Sequence, residues 1–245
     1  MKNLWHKALL IFLLMTSINV LAIPNGEELV AEADKGRGVG GSFSTLVKVD
    51  DFDGAEKKTG VYQVFVRDNN TSLVNQLAPE RMKGRKLLMR NDDLWLFTPT
   101  IRRPVRVSLE QRMTGEVSNG DLARTNYAED YQATSVEEEK LNGVSSFRVQ
   151  LKAKRKNLTY SKIDYWIDAK KKLPLKAQYY ALSGKLLKVA DYLDFKKVLG
   201  RTVFTKIVIS DALQPKKKSV LIYSKHKRSH FDEGFFNKES LEQQQ

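Results

Sequence analysis

The sequence predicts a mainly β protein built from one curved antiparallel sheet or barrel. Three observations predict this class. From residue 42 onward, about ten strand-like segments follow one another at hairpin spacing. An Asn142-Gly143 step lies between two of them, and Asn-Gly is the strongest short-range signal for a hairpin turn. Helix-like periodicity is confined to short stretches of the chain.

Residues 1–22 have the pattern of a secretory signal peptide. Lys2 and Lys7 precede a short apolar core, Ala8–Met15, and small residues occupy the cleavage positions that end at Ala22. The alternative is an uncleaved membrane anchor, but this core is too short to span a bilayer comfortably. We therefore expect an exported, soluble protein in which residues 23–245 form a single domain.

The composition narrows the class of partner. The chain carries 42 Lys and Arg against 29 Asp and Glu, a formal net charge of +13. For an exported protein this charge favours lipid head groups, lipopolysaccharide or acidic proteins over nucleic acid, although a basic surface can also serve solubility alone. The absence of cysteine excludes disulfides, thiolate catalysis and zinc sites built on cysteine.

A first helix is predicted within Pro24–Lys35, with Asn25 as a candidate N-cap. Its apolar stripe consists of Leu29, Val30 and Ala33. Because so short a helix is unstable alone, this stripe must pack on the rest of the protein. The following run, Gly36–Gly41, matches G-x-G-x-x-G, but a dinucleotide site needs a strand before the glycines and a helix after them. The order is reversed here, so we interpret the run as a connection and not as a cofactor site.

The most distinctive unit is a hairpin followed by a third strand. Lys86–Met89 and Leu94–Phe97 flank a polar turn, and Val105–Leu109 alternates after a proline. One face of this unit is predicted to be apolar, with Trp95 and Phe97 on it. The cationic rim predicted for this face consists of Arg102, Arg103 and Arg106. An apolar face with a cationic rim suits a ligand that is amphipathic and anionic.

The sequence offers little for catalysis. His226 and His230 lie in a basic segment without a positioned partner, and Asp92-Asp93 fits a hairpin tip better than an acid–base pair. No recognised motif for nucleophilic catalysis, nucleotide binding or metal binding occurs. We therefore predict no catalytic residues, no metal and no cofactor.

Aromatic residues are concentrated on the strand-like segments, Tyr165 among them. The simplest explanation is an ordinary core between the sheet and its covering. The alternative follows from the small number of helical residues, since a strongly curved sheet then has little to bury its concave face against. An apolar cavity that holds lipid or acyl chains would be the result.

Several segments share their order and spacing with one known family. They are Leu87–Pro104 with Arg106, Gly115, Asp121-Leu122, Tyr165–Asp168, Gly184–Lys188 and the closing run from Phe235-Phe236 to Leu241. Together they resemble the outer-membrane lipoprotein-sorting family, the LolA-like periplasmic carriers, and most closely the branch associated with RND-type exporters. The resemblance extends over nearly the whole chain after the signal peptide.

This resemblance implies a half-open antiparallel β-barrel of about ten or eleven strands, with short helices as a lid. Acyl chains of lipoproteins or phospholipids would occupy the cavity. The residues expected to line it are Leu29, Val30 and Ala33 from the lid and Trp95, Phe97 and Tyr165 from the sheet. Those expected at its mouth, near head groups or a partner protein, are Arg102, Arg103 and Arg106.

The predicted function is therefore that of a monomeric, non-enzymatic periplasmic carrier. It would take lipoproteins or lipids from an inner-membrane transporter to an outer-membrane acceptor. The alternative is an accessory module that docks on an RND-type transporter or envelope complex through its basic surface, with a filled core and no lipid cargo. An exported hydrolase would need a triad or a metal site that the sequence does not contain.

Overall fold

The computed structural model describes residues 23–101, 103–124 and 126–242, with the side chain of Glu233 left out. The predicted signal peptide, residues 1–22, and the predicted site residue Arg102 lie outside the described residues. The fold is dominated by one antiparallel sheet of thirteen strands, which curls but does not close.

The strands are β1 (Phe43–Asp53), β2 (Glu56–Asp68), β3 (Thr71–Ala78), β4 (Lys86–Arg90), β5 (Asp93–Phe97), β6 (Val105–Val107), β7 (Arg112–Thr114), β8 (Val117–Ser118), β9 (Tyr131–Leu141), β10 (Val144–Ala153), β11 (Lys162–Asp168), β12 (Pro174–Tyr180), β13 (Leu186–Val198), β14 (Arg201–Asp211) and β15 (Lys217–Arg228). The helices are α1 (Gly26–Asp34), α2 (Asn119–Ala123) and α3 (Tyr127–Asp130). Three short 3₁₀ turns accompany them, at Lys35–Arg37, Glu80–Met82 and Glu233–Phe236.

The sheet has two arms that meet in its centre. The strand order is β6-β5-β4-β3-β2-β1-β15-β14-β13-β12-β11-β10-β9. Neighbouring strands are consecutive in sequence within each arm, and only the β1–β15 pair joins distant parts of the chain. In that pair Phe43 lies opposite Arg228 and Asp53 lies opposite Lys217. β7 and β8 form a separate hairpin that is inserted between β6 and α2.

The local turn signals of the sequence are confirmed. Asn142 and Gly143 join β9 to β10 with φ angles of 49° and 83°, as the favoured two-residue hairpin turn requires. In the β4–β5 turn, Asn91 has a φ of 54°, and its N–H donates a hydrogen bond to the carbonyl of Asn70 at 2.8 Å. Asparagine tolerates this left-handed conformation better than most residues.

Side chains alternate between two faces of the sheet. Along β5, Leu94 and Leu96 pack into the large core beneath the helices, whereas Trp95 and Phe97 pack into a second cluster on the other side. Because directly opposed residues on neighbouring strands share a face, Leu88 of β4 lies on the same side as Trp95, which it opposes. We call the helix-covered side the inner face and the other side the outer face.

The outer face carries an apolar cluster that the C-terminal tail covers. Its strand residues are Phe65, Leu73, Leu88, Trp95 and Phe97, and its tail residues are Phe231, Phe235, Phe236 and Leu241. Polar contacts fix the tail in place: the Lys86 ammonium donates to the carbonyl of Leu241, and Arg90 Nη1 donates to Asn237 Oδ1 at 3.1 Å. The tail is therefore an integral part of the folded sheet.

The mainly β class is confirmed, and the number of strands is corrected. Instead of about ten or eleven strands, thirteen form the sheet and two more form the inserted hairpin. β3 carries no clear strand pattern in the sequence, because it begins with Thr71-Ser72 directly after a polar turn and contains Asn75-Gln76. β7 and β8 are only three and two residues long, which is below the length at which a sequence pattern can be recognised.

Candidate functional site

The inner face is covered by two segments. One is α1, and the other comprises the β7–β8 hairpin with α2 and α3, residues 112–130; together they are called the cover. The stripe of α1 that the sequence predicted, Leu29, Val30 and Ala33, is buried in the inner core. Asn25 caps the helix by accepting a hydrogen bond from the N–H of Glu27 at 2.8 Å. The Glu27 carboxylate in turn accepts from the N–H of Ala133 on edge strand β9 at 3.1 Å.

A buried arginine joins the cover to the sheet. Arg37 follows α1, and its side chain is only 5% exposed. Its guanidinium carbon lies 4.1 Å from the ring centre of Tyr127 in α3, and Nη1 donates to the hydroxyl of Tyr192 on β13 at 2.9 Å. Cation–π contacts gain strength when they are shielded from water. One side chain thus contacts both segments of the cover and the sheet below them.

The hydroxyls around Arg37 form a continuous hydrogen-bonded chain. Tyr192 is 3.0 Å from Tyr179, and Tyr179 is 3.0 Å from Tyr127. Since arginine can only donate, Tyr192 accepts from it and can donate its own proton onward. Burial raises the pKa of Tyr127 and Tyr179 well above the usual tyrosine value, so both remain neutral. We call Arg37 and these three tyrosines the arginine–tyrosine cluster.

Asp34, the last residue of α1, completes this contact. Its Oδ2 accepts from the N–H of Ala128 in α3 at 2.8 Å, and its Oδ1 lies 4.0 Å from Arg37 Nε. Burial raises the pKa of Asp34 from 3.8 to about 7, although Arg37 and the N–H donor act in the opposite direction. The desolvation of the carboxylate outweighs an ion pair that is too long for a hydrogen bond.

This shift predicts a pH dependence of stability. Because the folded-state pKa of Asp34 is raised from 3.8 to about 7, the folded protein binds this proton more tightly than the unfolded chain does. The resulting stabilisation is fully present below about pH 4 and is lost as the pH rises through about 7. An Asp34→Asn variant lacks this titration and should gain stability relative to wild type across that window, by at most about 4 kcal/mol. Urea unfolding of both proteins at about pH 4.5 and about pH 7.5 measures it, and parallel pH profiles would contradict it.

A second polar contact holds the β7–β8 hairpin against the sheet. The hydroxyls of Ser219, at 2.5 Å, and of Thr114 donate to the Asp51 carboxylate. Ser219 also accepts from the N–H of Glu116 at 2.8 Å. Gly115 at the hairpin tip has a φ of 45°, and a Cβ there would lie 2.0 Å from Asp51 Oδ1. Only glycine allows the tip to approach this closely.

A third polar contact ties α2 and α3 to the β4–β5 turn. Arg124 pairs with Asp130 through two nitrogens and donates to the carbonyl of Asn91 at 2.6 Å. Arg155 bridges Asp130 at 2.7 Å and Asp92 at 2.9 Å. Bidentate arginine–carboxylate pairs of this kind fix geometry as well as charge. The Asp92 carboxylate is therefore used in anchoring the cover.

A small slot remains between the cover and the inner face. Its apolar walls come from Val74, Leu87, Leu96, Val107 and Met113, and polar side chains at its margin include Arg85 and Arg112. Its volume is about 40 Å³, which is room for a few water molecules and not for an acyl chain. A larger cavity of about 320 Å³ lies between α1 and the α2–α3 segment, and its lining includes Ala31, Asp34, Leu122 and Ala128.

The structure divides the predicted cavity residues into two groups. Leu29, Val30, Ala33 and Tyr165 come together in the inner core. Trp95 and Phe97 lie instead on the outer face against the tail, so the predicted placement of all six around one cavity is corrected. The strand Leu94–Phe97 is apolar on both sides, and alternation alone cannot tell which side faces inward.

Arg103 and Arg106, which were predicted at the mouth of the cavity, do not border the slot. Arg106 opposes Trp95 in the β5–β6 pair and forms an ion pair with Asp93. It therefore lies on the outer face and not at the margin of the slot. Arg103 is exposed in the connection that precedes β6. The cationic residues that line the slot are Arg85, Lys86 and Arg112.

Sequence reasoning missed the residues that fasten the cover. Arg37 lies inside the glycine-rich run that was interpreted as a plain connection, and the helix-before-strand order of that interpretation is correct. A single arginine between glycines gives no periodic signal. Its burial depends on tyrosines from β12, β13 and α3, which no local pattern could assemble.

Within 23–101, 103–124 and 126–242, every helix falls short of the length and hydropathy needed to cross a membrane. The same ranges contain no group of three or more His, Asp or Glu side chains arranged to hold a metal ion.

These features define a class of fold: a curled, open antiparallel sheet whose inner face is covered by a short N-terminal helix and an inserted helical segment. The same fold occurs in solved structures. A LolA superfamily protein from Nitrosomonas europaea has a TM-score of 0.83 and 32% identity, covering 88% of this chain and 99% of that one. An outer membrane lipoprotein-sorting protein domain from Vibrio parahaemolyticus has a TM-score of 0.77 and 24% identity, with coverages of 89% and 100%.

A DUF1329 family protein from Desulfovibrio piger shares the fold with a TM-score of 0.76 at 18% identity, covering 88% of this chain and 97% of that one. A family model described only as an uncharacterized protein matches residues 68–243. No curated protein matches the sequence. The chain belongs to the LolA superfamily, as the spacing of its sequence segments indicated.

Proposed function

We propose that this protein is a periplasmic carrier that holds acyl chains of lipoproteins or phospholipids between the cover and the inner face. The observation that supports this is the composition of the interface. A continuous apolar core extends from β2–β5 through β10–β15 and is closed by two short helical segments. These segments are themselves fastened by a few buried polar contacts, so the cover can be released without unfolding the sheet.

Loading of the apolar slot requires the cover to move, because this slot is about 40 Å³ in volume. Acyl chains would replace the side chains of Leu29, Val30 and Ala33 against the sheet. Each buried methylene contributes about 0.8 kcal/mol, so a multi-chain lipid would offset the contacts that the cover gives up. Release would then need a partner that favours the closed state, since a ligand shifts a conformational equilibrium only through differential affinity.

The proposal assigns no catalytic step and no cofactor. Cargo would come from an inner-membrane transporter, with an RND-type exporter as the candidate, and would pass to an acceptor at the outer membrane. The carrier would work as a monomer. Arg85 and Arg112 at the margin of the slot would lie near the anionic or polar head group of the cargo.

The test is native mass spectrometry, with solvent extraction, of protein purified gently from the periplasm. A co-purifying lipid or lipidated peptide is expected. A Val107→Lys variant, which places a charge in the slot, should lose this cargo while keeping the circular dichroism spectrum of the wild type. Ile222→Lys is the matched control, since Ile222 is an outer-face residue that is 38% exposed. Equal cargo in both variants, or a wild type that stays empty when phospholipid and lipopeptide are added, would contradict the proposal.

A second candidate has one observation in its favour: much of the inner face is filled by buried side chains, and the apolar slot is small. On this alternative the protein is an accessory module that docks on a transporter or envelope complex without lipid cargo. The clean mass of an empty protein, together with salt-sensitive capture of a membrane protein, would favour it over the carrier.

A further inference from the structure

Two hairpin turns at one end of the strands present leucines to solvent. Leu182 in the β12–β13 turn is 90% exposed, and Leu213 in the β14–β15 turn is 69% exposed. In the strand order β15-β14-β13-β12 these two turns lie at the same end of the strands, because alternate hairpins of a meander point the same way. Their tips are therefore about two strand spacings, roughly 10 Å, apart.

Both turns are held by hydrogen bonds and present their leucines in a defined way. In the β14–β15 turn, Asp211 Oδ1 accepts from the N–H groups of Leu213 and Gln214, each at 2.8 Å. In the β12–β13 turn, the N–H of Ala181 donates to the carbonyl of Lys185 at 3.0 Å, and that of Gly184 donates to Ala181 at 2.9 Å. Neither leucine has a packing role that would account for its presence.

Lysines accompany the leucines. Lys185 and Lys216 are exposed and, among the described residues, have no ion-pair partner. Lys218 is exposed beside them, while Lys217 contacts Asp53 at 3.6 Å. The carboxylate of Asp211, which begins the β14–β15 turn, accepts the hydrogen bonds of that turn. We call the turns 181–185 and 212–216, with these lysines, the leucine edge.

We propose that the leucine edge docks on an anionic lipid surface. Its aliphatic tips would enter the boundary between head groups and acyl chains, and its lysines would contact lipid phosphates. Weak binding of this kind combines buried apolar area with attraction to anionic lipid, and the excess of basic over acidic residues in the sequence supports it. The surface is separate from the slot and does not depend on the proposed cargo.

A turn at the opposite end of the strands provides a comparison with the leucine edge. Leu199 in the β13–β14 turn is also exposed, at 44%, and it follows Lys196-Lys197 in sequence. A surface that bound lipid through scattered charge alone would not distinguish the two edges. Ile101, which is exposed in the β5–β6 connection, lies on the same edge as Leu182 and Leu213 by the strand order.

The test is flotation of the full-length exported protein with vesicles of phosphatidylglycerol and phosphatidylethanolamine, and with vesicles of phosphatidylcholine alone. The wild type is expected to float with the anionic vesicles only. The double variant Leu182→Ser/Leu213→Ser should bind them about tenfold or more weakly. Lys185→Gln/Lys216→Gln should bind more weakly and with a reduced dependence on salt.

The matched control is Leu199→Ser, which should bind like the wild type. Because all five positions are exposed, each variant is expected to keep its thermal stability. No flotation of the wild type, or equal losses in Leu199→Ser and the double variant, would overturn the proposal. So would a double variant that floats normally but fails to bind a partner protein. Val107→Lys should still float, which separates this surface from the proposed cargo site.

Discussion

The Phe236→Ala variant is expected to lose about 3–5 kcal/mol of its free energy of unfolding. Phe236 is 1% exposed and belongs to the tail that covers the outer face. Its ring lies edge-on to those of Phe231 and Phe235, with centres 5.2 Å and 5.0 Å away. Truncation leaves a cavity among these rings and weakens the packing of the tail on Leu73 and Leu88. For a domain of ordinary stability this is a large part of the total.

Chemical denaturation of the wild type and the variant measures this loss. Ile222→Ala is the control, because Ile222 also lies on the outer face but has no tail above it, and it should cost less than about 1 kcal/mol. A Phe236→Ala loss no greater than that of Ile222→Ala would mean that the tail rests on the sheet without contributing to the fold.

The Arg37→Met variant should be destabilised by about 3–5 kcal/mol at neutral pH. Methionine keeps much of the volume but removes the hydrogen bond to Tyr192, the cation–π contact with Tyr127 and the guanidinium that faces Asp34. Without this counter-charge the pKa of Asp34 rises further, so its carboxyl group stays protonated in the folded variant near neutral pH. The loss should therefore grow as the pH rises above about 7, where Asp34 of the wild type ionises and that of the variant resists ionisation.

A double-mutant cycle with Asp34→Asn isolates the contact between the two side chains. The double variant should be less destabilised than the sum of the single changes. Hydrogen exchange should also quicken in α1 and α3 more than in β13–β15, because the cluster fastens the cover and not the sheet. Lys35→Met, at an exposed neighbouring position, should change neither quantity. Uniformly faster exchange would show that Arg37 supports the whole fold instead.

Local chemistry made much of the fold predictable. Asn25 as a cap, Asn142-Gly143 as a turn and the apolar stripe of α1 each depend on residues a few positions apart, and each is observed. β3 was not recognised, since a strand held between two neighbours can carry Asn75 and Gln76 without losing its pairing. Sequence patterns describe a strand well only when one of its faces is uniformly polar.

The site was predictable only in part. The stripe of α1 had to be buried somewhere, and the sheet was the available partner. For Trp95 and Phe97 the strand and the burial were foreseen, but the covering element is the tail, more than a hundred residues away. The arginine–tyrosine cluster depends on four separate elements meeting at one point. Its members are ordinary residues individually, and only the tertiary structure gives them a common role.

The pairing of β1 with β15 also sets the order in which the molecule can be completed. Each arm can grow from consecutive hairpins, but the arms join only when Phe43–Asp53 meets Lys217–Arg228. Closing so long a loop is slow. Until it closes, β1 and β15 are unpaired edges in the middle of the future sheet, open to pairing with other chains. A newly synthesised chain is therefore most exposed to aggregation near the end of its synthesis, and a factor that shields β1 until β15 arrives would raise its yield more than one acting on either arm.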